Sequence, residues 1–203
     1  SGSRAKGVVL EGGEEIRAKL VVSGADPRRT FLQLVGEKHL PDAFVESIKR
    51  FRFRGASAKV NLALGELPHF TCLPANGIGR AALRGAFSIS PSVAYLERAY
   101  DEAKYGEVSR RPYMDIVIPS MIDPSMAPPG KHVMSIFVQY APYHVNGGWT
   151  DARREALGDA VVDTLAQYAP NLKGAILHRQ VVTPADIERI VGLTEGNIFQ
   201  GEL

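Results

Sequence analysis

The stretch GASAKVNLAL, residues 55–64, is where the fold can be read. From Ala58 its side chains alternate, with Val60, Leu62 and Leu64 on one face and Lys59, Asn61 and Ala63 on the other. A period of two marks a strand with one packed face. Toward the C-terminus, Glu66 to Arg80 reads as a loop, broken by Pro68, Pro74, Asn76, Gly77 and Gly79. Ala86 to Ser90, Tyr113 to Ile118, His132 to Tyr140 and Ala175 to Val182 read as further strands. Ser92 to Tyr105 reads as a helix with Val93, Leu96, Tyr100 and Ala103 on one side. A longer helix, Thr150 to Ala169, carries a Leu157/Val161/Leu165 stripe, and Thr183 with Asp186 three residues on opens a short one.

Toward the N-terminus, Gly7 to Leu10, the turn Glu11 to Glu14 and Glu15 to Val22 predict a hairpin leading into a buried strand, with Ile16, Ala18, Leu20 and Val22 facing inward. Asp26 is placed to cap a helix that starts at Pro27, and a second helix starts at Pro41 with Phe44, Val45, Ile48 and Phe51 as its apolar side. Strands and helices follow one another without a βαβ rhythm. The expected class is therefore α+β: a mixed, largely antiparallel sheet with flanking helices.

Composition narrows the function classes. The chain has 203 residues, 45% hydrophobic and 23% charged, the balance of an ordinary globular protein. No apolar run approaches the roughly 18 residues of a membrane span, and Ser1 to Lys6 does not read as the start of a secretory leader. The expected setting is the cytoplasm or an organelle matrix. A net charge of +2 is far from that of a nucleic-acid binder, so no nucleic-acid partner is expected. Charge is uneven, +5 over residues 1–60 and −3 over the rest. The run Lys49, Arg50, Arg52 and Arg54 suits a helix C-terminus; contact with an anion or a membrane surface is the other reading.

Few motifs carry chemistry. Gly77-Ile78-Gly79-Arg80-Ala81-Ala82 matches a dinucleotide fingerprint in letters, but that mechanism needs a strand before it and a helix N-terminus under the pyrophosphate. A proline-containing loop precedes it, so the segment reads as loop. The five histidines show no metal-ligand spacing, and a single cysteine, Cys72, excludes an intrachain disulfide and a cysteine-rich zinc module. No metal is expected. Lys59 has two readings: a solvated lysine on a strand, or an ammonium facing a polar-lined cavity beside Asn61.

Several stretches resemble the phytoene-desaturase-like branch of the flavin-dependent amine oxidase superfamily. They are GVVLEGGEEIRAKLVVSGADP (7–27), FRFRGASAKVNLAL (51–64), YLERAYDEAKYG (95–106), RPYMDIVIPS (111–120), PPGKHVMSIFVQYAPY (128–143), LHRQVVTPADIE (177–188) and GNIFQGEL (196–203). Gly24 stands where members usually have Asn. The resemblance implies a two-part piece of a longer FAD enzyme: residues 1–27 as a remnant of the FAD domain, and 28–203 as the substrate domain up to its return. The glycine-rich ADP-binding start and FAD-contacting end of the family are not in this sequence, so the chain by itself is expected to hold no FAD and to be inactive. In the wider superfamily a lysine on the corresponding strand holds a water beside flavin N5, which gives Lys59 a catalytic role; carotenoid desaturases proper often lack it. The resemblance further implies Asn197, Phe199 and Gln200 as active-site wall, with Asn61, on the Lys59 face, as a further substrate-binding candidate, and Ser23, Gly24, Ala25 and Asp26 near the cofactor once the missing domain is restored.

Three functions follow as expectations. One is hydride transfer from an apolar, isoprenoid- or lipid-like substrate to flavin, with the missing FAD domain as the partner in cis. The others are a non-catalytic ligand- or protein-binding module of the same fold, and a flavin-dependent isomerase. Apolar surface left without its domain also predicts pairing between copies, and the basic run keeps contact with a membrane surface open.

Overall fold

A computed structural model describes residues 4–202; Ser1–Ser3 and Leu203 lie outside the described residues. Backbone contacts group the chain into two units, one running up to Phe53 and resuming at Phe199, the other spanning Arg54–Ile198.

In the first unit, β1 (Gly7–Val9) pairs antiparallel with β2 (Glu15–Arg17), Val8 opposite Ile16. Leu10 and Gly13 close the turn, through Leu10 N–H to Glu14 O and Gly13 N–H to Leu10 O, both at 2.9 Å. The strand predicted to continue to Val22 stops at Arg17, and Leu20 and Val22 are 77% and 84% exposed. Alternation supplies a face, but a strand also needs neighbouring backbone to pair with, and β2 pairs only with β1 among the described residues. The Asp26 cap forms as read. Its Oδ1 accepts the Arg29 amide at 3.0 Å, and the chain turns helical from Pro27. A π-type segment (Arg29–Gly36), a 3-10 turn (Glu37–His39) and α1 (Asp42–Arg50) follow. Phe31 meets Phe44 edge to face at 4.9 Å, and Val45 is buried. Part of the basic run has local partners: Lys49 Nζ binds Glu37 Oε2 at 2.7 Å.

In the second unit, the elements in chain order are β3 (Ser57–Leu64), α2 (Gly77–Ala82), β4 (Phe87–Ile89), α3 (Val93–Lys104), β5 (Tyr113–Val117), β6 (His132–Gln139), α4 (Asp151–Ala166), α5 (Leu172–Ala175), β7 (Ile176–Val182) and α6 (Pro184–Val191). The strands form one sheet in the order β4-β5-β6-β3-β7, antiparallel at every step. This is the α+β class with an antiparallel sheet read from the sequence, and Lys59, Phe87, Ile116 and Phe137 all lie on it.

One face of the sheet builds the core. Val60, Leu62 and Leu64 of β3, Met114 and Ile116 of β5, and Met134, Ile136 and Val138 of β6 are all at most 1% exposed. Leu157, Val161 and Leu165 of α4 join the same cluster, so the predicted stripe is the buried one. Burying three such side chains contributes on the order of 1.5–3 kcal/mol each. Gly158 lets α4 approach β7, because a Cβ there would stand 2.8 Å from Val181 Cγ2 and from the Arg179 guanidinium. Arg179 in turn binds Asp159 at 2.7 Å and Glu155 at 2.5 Å across the same seam.

Residues 77–82, expected as loop, are helix α2, because the Asn76 side chain accepts the amides of Ile78 and Gly79 and supplies the cap. On α3, Val93, Leu96 and Tyr100 are 76%, 36% and 50% exposed, while Ala99 is buried. The small side chain lets the backbone of α3 sit close to its neighbours: Ala99 O accepts the Ser109 hydroxyl at 2.5 Å, and Tyr95 donates to Pro112 O at 2.8 Å.

Candidate functional site

The second face of the sheet has different chemistry. Antiparallel partners share a face, so the register places Ser88, Asp115, Phe137, Lys59 and Val182 in one row across five strands. Lys59 is exposed there, flanked by half-buried Phe137 and Val182. No hydrogen bond or ion pair reaches its ammonium among the described residues. Asp115, two strands away or about 10 Å, accepts the Ser88 hydroxyl. Tyr113 neighbours Asp115, and its phenol is raised from its ordinary value, first by a hydrogen bond to the Asp115 carboxylate and then by burial.

In the next row Asn61 links two strands. Its Nδ2 donates to Gln180 Oε1 at 2.9 Å, and its Oδ1 accepts the Ser135 hydroxyl at 3.0 Å. The amide plane is thereby fixed, with Gln180 on one side and Ser135 on the other. Lys59 and Asn61 thus share one face, as the alternation requires.

Asn197 lies in the same unit, buried in the segment that follows α6; its amide donates to Thr194 O at 3.1 Å. That segment crosses the start of β3 closely. A Cβ on Gly55 would come within 2.1 Å of Glu195 O, so only glycine permits the crossing. A cluster absent from the sequence reading fastens it. Tyr143 donates its hydroxyl to Glu188 Oε2, Glu188 Oε1 accepts the Glu195 amide at 2.8 Å, and His144 Nε2 lies 3.5 Å from Glu195 Oε2. The Tyr143 phenol is pushed up to about 12, first by that hydrogen bond and then by burial. Glu195 and Gly196 both take positive φ, 51° and 63°. No spacing could have announced this cluster, since Tyr143 and Glu188 are 45 residues apart.

The other predicted site residues belong to the first unit. Ser23 Oγ lies 2.7 Å from Thr30 Oγ1 and accepts the Ala25 amide at 3.3 Å. Thr30 donates to Ala25 O at 3.0 Å, and Gly24 is exposed with open space where a Cβ would stand. Asp26 is fully buried and caps the helix. Phe199 is 67% exposed, and Gln200 takes φ 60°. The segment after them is tied to Arg52, whose carbonyl accepts the Glu202 amide at 3.0 Å.

Ser23 Oγ and Asp26 Oδ1 serve the local turn, and the glycine motif at 77–82 opens a six-residue helix with a loop, not a strand, directly before it. The polar face of the sheet is different. It carries one ammonium, an amide fixed by two hydrogen bonds, and flanking half-buried apolar side chains. Among the described residues no group of three or more His, Cys, Asp or Glu is placed to hold a metal ion. No described helix is long and apolar enough to cross a membrane.

No family model matches the chain. It is 40% identical over 208 residues to a rat protein named pyridine nucleotide-disulfide oxidoreductase domain-containing protein 2, covering 100% of this chain and 36% of the rat protein. The mouse protein of the same name is 40% identical over 210 residues, with the same coverage. An oxidoreductase from Methanosarcina mazei shares the fold, with a TM-score of 0.50 at 18% identity, over 90% of this chain and 35% of that one. Along its whole length the chain is therefore a homologue of pyridine nucleotide-disulfide oxidoreductase domain-containing protein 2, and it spans 36% of that protein's length.

Proposed function

We propose that this chain is the substrate-binding part of an FAD-dependent oxidoreductase that takes a hydride from an apolar, isoprenoid- or lipid-like substrate. Residues 28–203 form that part in this reading, and 1–27 are the edge of the FAD domain, whose remainder is the partner in cis. FAD, when bound, supplies the hydride acceptor. The chain's own residues orient the substrate, exclude water and hold a proton at a defined place. The supporting observation is Lys59: the one cation of its row, on the polar face, beside an amide whose orientation two hydrogen bonds hold. Homology to proteins named for oxidoreductase domains supports the same reading.

In this scheme the Lys59 ammonium fixes a water and favours negative charge on the ring it faces. Asn61 presents its amide edge to the substrate, and Asn197 of the same unit forms part of the wall. Ser23 to Asp26 approach the cofactor through backbone groups, since the Ser23 and Asp26 side chains are already engaged.

The test is Lys59→Met in the full-length protein, followed by stopped-flow flavin absorbance. Flavin reduction or reoxidation should slow by about ten- to a hundredfold, with FAD content unchanged. Equal half-reaction rates would return Lys59 to a solvated lysine. A full-length protein that purifies without flavin would favour the binding-module reading instead.

A further inference from the structure

A separate cavity lies at the other end of β3. The strand leaves the sheet at Leu64, and the chain from Gly65 to Leu83 folds back to enclose a cleft of about 600 Å³, with His132 at the start of β6 on its far side. Ligand clefts fall in this size range and are mostly apolar with a few placed polar groups. Here Phe70, Leu73 and Leu83 supply the apolar wall, and Phe70 and Leu83 belong to the buried core.

The wall is held by specific contacts. A Cβ on Gly79 would come within 2.0 Å of Pro74 O, so glycine is needed where α2 crosses the preceding loop. Asn76 caps α2 through the amides of Ile78 and Gly79. Arg80, on this helix, lines the cleft, and among the described residues no carboxylate pairs with it. Across from it, Ser120 Oγ lies 3.3 Å from His132 Nδ1 and accepts the Val133 amide at 3.1 Å, which fixes the imidazole. The Nε2 nitrogen has no partner among the described residues. Burial, and then the charge of Arg80, lower the His132 pKa, and Nε2 is the ring nitrogen left for a ligand. The single carboxylate on the lining, Glu66, already accepts Asn171 Nδ2 at 2.9 Å.

We propose that this cleft binds a small apolar monocarboxylate, with its carboxylate on Arg80 and His132 and its tail against Phe70, Leu73 and Leu83. The guanidinium suits a carboxylate because its N–H groups form a planar fork. A lone cation over an apolar wall selects a monoanion with a hydrocarbon body over a polyanion. The cleft is distinct from the polar face carrying Lys59, so this proposal stands or falls apart from the flavin reading.

Octanoate is the probe and octanol its uncharged match, titrated into the isotopically labelled full chain and followed by amide NMR. Octanoate should shift the Gly79, Arg80, Leu83 and Val133 resonances saturably and bind at least about tenfold more tightly than octanol. Arg80→Gln should remove that advantage, and Arg80→Lys, which keeps the charge but not the planar fork, should restore only part of it. Equal binding of octanoate and octanol, an Arg80→Gln variant that binds octanoate as the parent does, or shifts confined to other parts of the sheet would each overturn the assignment.

Discussion

The two faces of the second unit's sheet are made from the same strands but held in different ways. On β3, Ala58, Val60, Leu62 and Leu64 are at most 1% exposed, while Lys59 between them is exposed and Asn61 and Ala63 are half-buried. The packed face meets α4 through aliphatic side chains, and its stability is a matter of area and fit. The polar face is ordered by hydrogen bonds that run across strands, Ser135 to Asn61 to Gln180, each contributing little net stability. One face holds the fold, and the other carries an amide whose position is set beside an ammonium with no described partner.

The sharpest way to break this contrast is on the packed side. Leu157→Ala removes a side chain 1% exposed from the α4 stripe and should cost about 3–4 kcal/mol in urea unfolding. A loss below about 1 kcal/mol, the scale of a surface change, would mean that α4 does not close this core.

Asp186 sets a second scale. It forms a capping box with Thr183, whose amide and hydroxyl donate to Oδ2 at 3.0 and 2.8 Å. Arg154 Nε donates to Oδ2 at 3.1 Å and Arg189 Nη2 to Oδ1 at 2.8 Å. Burial alone would raise this carboxyl, but the hydrogen bonds from Arg189, Thr183 and Arg154 outweigh it and hold it well below the usual carboxylate range. A depressed carboxyl stabilises the fold fully above its unfolded value of about 4 and loses that contribution as pH falls toward the folded value. Asp186→Asn should cost about 2–3 kcal/mol at pH 7 and flatten the acid limb below about pH 4. Parallel acid limbs in variant and parent would assign the acid sensitivity to another group.

A smaller effect tests the seam between α4 and β7. Gly158→Ala should cost about 1–2 kcal/mol, because Val181 Cγ2 cannot swing away as freely as the Arg179 guanidinium can. Unchanged thermal stability would show that the helix can lift from the sheet at no cost.

The smallest effect belongs to the polar face. Lys59→Met should leave stability within about 0.5 kcal/mol of the parent, since no described partner holds the ammonium. A larger loss would mean that Lys59 helps hold the fold, which would weaken the case for a chemical role.

Much of this was legible in the chain because it rests on neighbours in sequence. The alternation of 58–64 separates Lys59 and Asn61 from Val60 and Leu62 through strand geometry alone. Asp26, Ser92, Thr150 and Thr183 announce helix starts because a cap binds amides two or three residues ahead. The Leu157/Val161/Leu165 stripe follows from helical periodicity. Tertiary structure decided what depends on distant partners. Residues 18–22 alternate like a strand, yet no strand beyond β1 is there among the described residues to pair with β2. The apolar stripe of α3 faces outward because Ala99, not Leu96 or Tyr100, allows close approach. Segment 77–82 became a helix through its Asn76 cap, which the glycines around it obscured. The strand order, the Tyr143–Glu188–Glu195 clasp and the Arg80–His132 cleft join residues tens of positions apart. Local periodicity tells each side chain which face it takes, but only the folded backbone decides which other face it meets.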